Sequence, residues 1–281
     1  MRWMSFRAGA QESYGLVVGE GVVDAQKRFP EHRTLKDLLA SGRSSEAGRA
    51  LADERPDHPL NEITYLPVIT HPDKILCAGI NYKAHQQETG RDATTHPTMF
   101  VRFAASQMGH GQPMLRPKES TRLDYEGEIA LVIGRAGRRI RRADALGHVA
   151  GFSCYNDGSV RDFQRHTTQF TPGKNFVATG GFGPWLMTPD EIGDLDAMEI
   201  TTRLNGEVMQ NSKAALLIFG FAELIEYCST FTLLVPGDVI VTGTPGGVGA
   251  ARNPPLFMKE GDVVEVEVQP IGVLRNTIEV G

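Results

Sequence analysis

Seven apolar segments rich in β-branched residues crowd the chain beyond about residue 70, at Met99 to Phe103, Glu128 to Ile133, Val149 to Tyr155, Glu199 to Leu204, Asp238 to Val241, Val263 to Val268 and Val273 to Val280. Their turns have hairpin chemistry. Asn205-Gly206 separates TTRL from EVMQ, and a type I′ turn needs positive φ at both of its central residues, which Asn and Gly supply at least cost. Pro270-Ile271-Gly272 reverses the chain again near its end. The region therefore reads as mostly antiparallel sheet. One stretch has clear helical spacing, Ala214 to Ser229, with Leu217, Phe221, Leu224 and Cys228 on one side and Ser212 as candidate N-cap.

Residues 1 to about 65 hold short strand-like pieces, Trp3 to Phe6 and Leu16 to Val18, then helical patterns around Leu35 to Leu39 and Glu46 to Leu51. A polar, proline-bearing stretch follows, DERPDHPLNE with Pro67 and Pro72, ahead of the apolar run KILCAGI. This predicts a small N-terminal α+β domain over 1–70 and a larger domain over 71–281. A chain of 281 residues can bury a sizeable core without staples. Cys77, Cys154 and Cys228 are odd in number, widely spaced and set in apolar runs, so they form neither a disulfide framework nor a zinc site, and a reducing cytoplasm is expected. Arg2 and Arg7 stand where a signal peptide would need an apolar core, and Glu223 interrupts the longest apolar stretch, so no membrane association is expected. A net charge of −5 gives no global attraction to nucleic acid. The basic run RAGRRIRR, Arg135 to Arg142, lacks interleaved aromatics and reads as a solvated turn.

Five motifs carry candidate chemistry. In LDYEGEIALVIG, Glu126 and Glu128 lie two apart at a strand start, so their carboxylates share one face while Ile129, Leu131 and Ile133 take the other. Alone, this also describes a solvated strand face. In YNDGSVRDFQ, Asp157 ends an apolar strand, where it is either a turn residue or a third carboxylate reaching the same ion. Three oxygen ligands with no cysteine suit a hard cation, Mg²⁺ or Mn²⁺, better than zinc. In NYKAHQQE, His85 and Glu88 are three apart on a helical turn and can touch, as a general-base pair or as an ordinary surface pair on an exposed segment. VTGTPGGVG is a glycine-rich turn whose amides could approach an anion, but it has neither the Gly-Lys-Ser/Thr of a phosphate-binding P-loop nor the glycine order of a dinucleotide site. Lys174 in TPGKNF is a lone cation that either pairs with a substrate carboxylate or is solvated.

In order and spacing these segments, with GINYKAHQQE, VAGFSCYNDGSVRDFQ, GKNF, FGPW, LNGEV, LIEYCSTF, PGDVIVTGTPGGVG and GDVVEVEV, resemble the fumarylacetoacetate hydrolase family over roughly residues 70 to 280. The resemblance implies a mixed α/β, predominantly β fold, a β-sandwich roll preceded by the small N-terminal domain, and a homodimer. It implies that Glu126, Glu128 and Asp157 hold Mg²⁺ or Mn²⁺. His85 and Glu88 would form a dyad on a lid, with Lys174 catalytic, and Arg161, Gln164 and Thr244 would line the substrate site. Two departures stand out. Ala214-Ala215-Leu216 replaces a polar triplet common before the long helix, and Val177 stands where many members have Asp shortly after the lysine.

The implied chemistry is cleavage of a C–C bond in an acylpyruvate-like 2,4-dioxo acid, with the cation stabilising a pyruvate enolate and His85 activating water. Lys174, Gln164 and amides near Thr244 would offset substrate charge. The same site would serve oxaloacetate decarboxylation or 2-hydroxy-dienoate isomerisation or hydration. The rival of another class is a non-catalytic protein with a structural ion, for which the His85–Glu88 pair has no use.

Overall fold

The computed structural model describes residues 1–90 and 94–281. The N-terminal strands β1 (Arg2–Ala8), β2 (Gln11–Val18) and β3 (Gly21–Asp24) form a meander covered by helices α1 (Leu35–Ala40) and α2 (Ser44–Leu51). Thr34 caps α1 in a reciprocal box with Asp37, which satisfies two of the amides a helix start leaves unpaired. Next come β4 (Ile75–Gly79), α3 (Lys83–Glu88), β5 (Thr98–Arg102), β6 (Gly127–Ile133), β7 (Val149–Asp157), the short helices α4 (Arg161–Gln164) and α5 (Thr171–Lys174), and β8 (Gly180–Met187). The C-terminal third holds β9 (Glu199–Leu204), β10 (Glu207–Lys213), α6 (Phe221–Phe231), β11 (Val239–Val241), β12 (Val263–Gln269) and β13 (Gly272–Val280).

Two sheets pack on one another. The larger runs β3-β2-β1-β8-β7-β6-β11-β4-β5, and the smaller runs β10-β9-β12-β13 with Met114–Arg116 at its edge. Pairing is largely antiparallel, and the parallel exceptions are β11 with β4, Gln107–Met108 with β8, and Met114–Arg116 with β13. Because β1 pairs with β8, the N-terminal meander continues the main sheet across the boundary expected near residue 70. The architecture is the mixed, predominantly β one that the sequence indicates. Asn205 and Gly206 have the expected positive φ between β9 and β10, and the arginines of the basic run are exposed.

Strand β6 is the middle of the molecule and is buried along its whole length. Ile129, Leu131 and Ile133 enter the core shared with the second sheet and α6, against Val266, Val268 and Leu224. Ala130 and Val132 enter the core shared with the N-terminal meander, beside Trp3, Leu16 and Leu35. With both apolar faces covered, the polar residues of β6 are confined to its N-terminal end.

The helix expected over 214–229 is displaced. Ser212 lies inside β10, Ala214–Leu216 is a single 3₁₀ turn, and α6 begins only at Phe221. The reason is Asn81, whose backbone carbonyl accepts from Ile218 and whose side chain accepts from the Phe219 amide and donates to the carbonyls of Phe219 and Thr242. Backbone groups that would have closed a helical turn are thereby spent on another segment. The cap is then made by Glu223, which accepts from the Gly220 amide at 3.0 Å.

Leu224 is fully buried where α6 meets the main sheet. Leu224→Ala should lower stability by about 2–5 kcal/mol through lost burial and a residual cavity, while Val208→Ala on an exposed strand position should stay within about 0.5 kcal/mol. Urea unfolding with an unchanged slope checks both.

Candidate active site and metal centre

Glu126 stands one residue before β6, and its carbonyl accepts from the Asp157 amide at 2.8 Å, so β6 and β7 bring the two carboxylates together across one strand pair. Glu128 is the second residue of β6. One ligand oxygen from each of Glu126, Glu128 and Asp157 lies within 4.8 Å of the others. All three side chains are buried, Asp157 completely.

Carboxylates so placed repel unless positive charge is interleaved. Lys174, 1 % exposed at the end of α5, places its Nζ 2.6 Å from both Glu126 Oε2 and Asp157 Oδ2, and 5.0 Å above the Phe100 ring. Arg161 donates to Glu126 Oε1 at 2.6 Å, to Gln164 at 2.9 Å and, through Nε, to Asp124 at 2.8 Å. Arg102, from β5, donates to the second oxygen of Asp157 and to Thr179. Although burial opposes it, Lys174 and Arg161 hold the Glu126 carboxyl far below the usual carboxylate range. Glu128 has the opposite environment. Among the described residues the Gly243 amide donates to it, and burial, with Asp157 and Glu126 close by, pushes its carboxyl well above the usual range.

The inventory is four carboxylates, Asp124, Glu126, Glu128 and Asp157, against three cations, Arg102, Arg161 and Lys174. Among the described residues, Glu128 is the member left without a cationic partner. Ionised carboxylates retain lone pairs beyond those used here, so a hard divalent cation fits an all-oxygen cluster with one uncompensated charge.

His85 and Glu88 touch, Nδ1 to Oε1 at 2.8 Å, and the other Glu88 oxygen accepts from the Gly247 amide at 2.8 Å. The segment is less exposed than its polar composition indicates, because α3 lies under the glycine-rich turn and His85 is 6 % exposed. The turn uses its amides on the protein itself: Gly243 on Glu128, Gly247 on Glu88, and Gly249 and Ala250 on Asp124 at 2.8 Å each. Gly243 and Gly247 have φ of +103° and +105°, and a Cβ on Gly247 would stand 2.2 Å from the Met209 carbonyl oxygen, so side chains are excluded from both. Thr244 donates to the Gly127 carbonyl at 2.9 Å and accepts from Gln210 at 2.8 Å, which braces the start of β6.

A cleft of about 550 Å³ joins these groups, with His85, Glu88, Glu126, Glu128, Lys174 and Thr244 in its wall and Arg161 and Gln164 beside them. Asp157 lies beneath its floor. Sequence reasoning missed Arg102 and Asp124. Arg102 sits in an otherwise ordinary strand pattern. Asp124 was in view, two residues before Glu126 in LDYEGE, and its spacing matched the glutamates' own.

The family model described as "Fumarylacetoacetate (FAA) hydrolase C-terminal" matches residues 74–279. Among curated proteins, the chain is 40 % identical over 265 residues to a bovine (Bos taurus) protein named oxaloacetate tautomerase FAHD2A, mitochondrial, covering 92 % of this chain and 84 % of that one. It is 40 % identical over 225 residues to oxaloacetate tautomerase YisK of Bacillus subtilis, covering 79 % and 75 %. Among solved structures, one described as a putative HpcE protein from Mycobacterium smegmatis superposes with a TM-score of 0.91 at 32 % identity, over the whole of both chains.

Arg102 and Asp157 are both fully buried, so removing one strands the other's charge. Arg102→Met should cost about 3–5 kcal/mol, and Arg102→Met with Asp157→Leu distinctly less than the single change. Chemical unfolding of the two variants measures the difference.

Proposed function

This chain belongs to the fumarylacetoacetate hydrolase family, and on that premise we propose that it is a divalent-metal-dependent enzyme interconverting the keto and enol forms of a 2-oxo acid of the oxaloacetate class. One observation carries the reading: two members of a buried three-carboxylate cluster, Glu126 and Glu128, and an imidazole fixed by a carboxylate line the same cleft. The relatives named oxaloacetate tautomerases support it by their identity across most of the chain.

Glu126, Glu128 and Asp157 would hold Mg²⁺ or Mn²⁺, which when bound supplies Lewis-acid polarisation of the 2-keto group and so acidifies C3. Glu88 accepts from Nδ1–H of His85, which leaves Nε2 free to take a proton. In this reading His85 removes the proton from C3 and a proton is delivered to the 2-oxygen, so one C–H bond is broken, one O–H bond is formed and no carbon–carbon bond is cleaved. Gly247 fixes the far oxygen of Glu88 and keeps the imidazole from rotating. Lys174 and Arg161 neutralise Glu126 and present positive edges to the substrate carboxylate. Burial of the cluster keeps water from competing for these donors.

Hydrolysis of an acylpyruvate is the second reading, favoured by the same dyad, since an imidazole able to take a carbon-bound proton can also activate water. The two separate in one experiment. Mg²⁺-loaded protein is given oxaloacetate, with enol decay followed by ultraviolet absorbance and products by NMR, and in parallel an acylpyruvate. Faster keto–enol equilibration without release of pyruvate or CO₂ is expected. Cleavage of the acylpyruvate with no effect on oxaloacetate equilibration would overturn the tautomerase reading. His85→Ala should bind Mg²⁺ as the parent does in calorimetry while losing about 10²–10⁴-fold in kcat. Glu128→Ala should lose both metal binding and activity.

A further inference from the structure

We propose that Arg165 reads a second carboxylate on the substrate, so that the cleft selects dicarboxylic over monocarboxylic 2-oxo acids. The inference rests on the 2-oxo acid reading of the site and names the substrate class within it.

Arg165 is the C-cap residue just after α4, four positions beyond Arg161, and both line the cleft. Residues four apart on a helical turn lie on the same side, separated by about 6 Å along the axis. Arg161 is at the buried floor, beside Glu126, and Arg165 is exposed, one turn further out. That spacing suits a short diacid whose first carboxylate lies at the carboxylate cluster.

The other cations of the wall already have carboxylate partners. Lys174 is bonded to Glu126 and Asp157, and Arg161 to Asp124 and Glu126, with only the buried Nη2 of Arg161 left without a hydrogen bond among the described residues. The carboxylates near Arg165 are committed as well. Asp162, on its own turn, accepts from the Ser120 hydroxyl at 2.8 and 2.9 Å and from the Phe163 amide, and Glu88 is held by His85 and Gly247. Among the described residues the Arg165 guanidinium has no ion pair within 4.0 Å. An exposed arginine is ordinarily just solvated. This one differs in being the one cation of the cleft wall with no carboxylate partner among the described residues, and a guanidinium can take a carboxylate through two parallel hydrogen bonds. Thr167 and Thr168 also line the cleft.

The test is calorimetric binding of oxaloacetate and of pyruvate to the Mg²⁺-loaded full chain, for the parent, Arg165→Met and Arg165→Lys, with the tautomerase assay run alongside. The parent should bind oxaloacetate at least about tenfold more tightly than pyruvate, Arg165→Met should remove most of that preference with pyruvate binding unchanged, and Arg165→Lys should restore part of it. Arg165 is exposed, so unfolding midpoints should agree among the three proteins. A preference equal in the parent and Arg165→Met, or absent from the parent, overturns the inference whatever the turnover. A preference lost in Arg165→Met without tautomerase activity in the parent sustains the inference as a binding site and overturns the catalytic reading instead.

Discussion

The ammonium of Lys174, set between Glu126 and Asp157 at 2.6 Å from each, is the interaction on which the centre of the molecule depends. A buried charge without a partner costs several kcal/mol, so each member of such a cluster dictates where the next must lie. Lys174 fixes α5 against the ends of β6 and β7. Arg161 then fixes α4, and Arg102 fixes the end of the edge strand β5. The two apolar cores on either side of β6 hold the strand rigid, which allows carboxylates at its end to be held against one another.

The glycine-rich turn is the second organiser, and its logic differs from that of loops that cradle a ligand's phosphate. Four of its amides are aimed at protein carboxylates, namely Glu128, Glu88 and Asp124. Through them one turn ties together the carboxylate cluster, the His85–Glu88 pair and, by way of Asp124, the guanidinium of Arg161. Charge-assisted bonds to backbone amides are short and geometrically strict. The turn therefore sets the relative position of the base and the carboxylates, and its glycines answer a steric demand of that packing.

Much of this was legible in the sequence. Alternation at Ile129, Leu131 and Ile133, positive-φ chemistry at Asn205-Gly206 and the ordered carboxylates at Glu126, Glu128 and Asp157 are local signals, and local signals survive in one dimension. The start of α6 was not legible, because Asn81 competes for the backbone of Ile218 and Phe219 from 137 and 138 residues away in the chain. Arg102 was hidden for the same reason: nothing in TMFVR distinguishes an arginine that folds inward to Asp157 from one that snorkels into water. The burial of His85 was likewise invisible, since α3 is polar and is covered by a turn distant in sequence. What pattern cannot supply is the identity of a polar side chain's partner when that partner is remote.

The division between floor and mouth bears on how one family fold can serve several reactions. The charged groups of the floor are buried and packed against one another at the strand ends, with Glu126 and Asp157 paired to Lys174, so a change in any of them disturbs the others. Groups at the mouth, from Arg165 through Thr168, are exposed and bound to the rest of the site by few contacts. Substitution at the mouth is correspondingly cheap in stability. Residues at the mouth can therefore change while the carboxylate floor stays as it is, which is one way a fold can keep its site and alter its specificity.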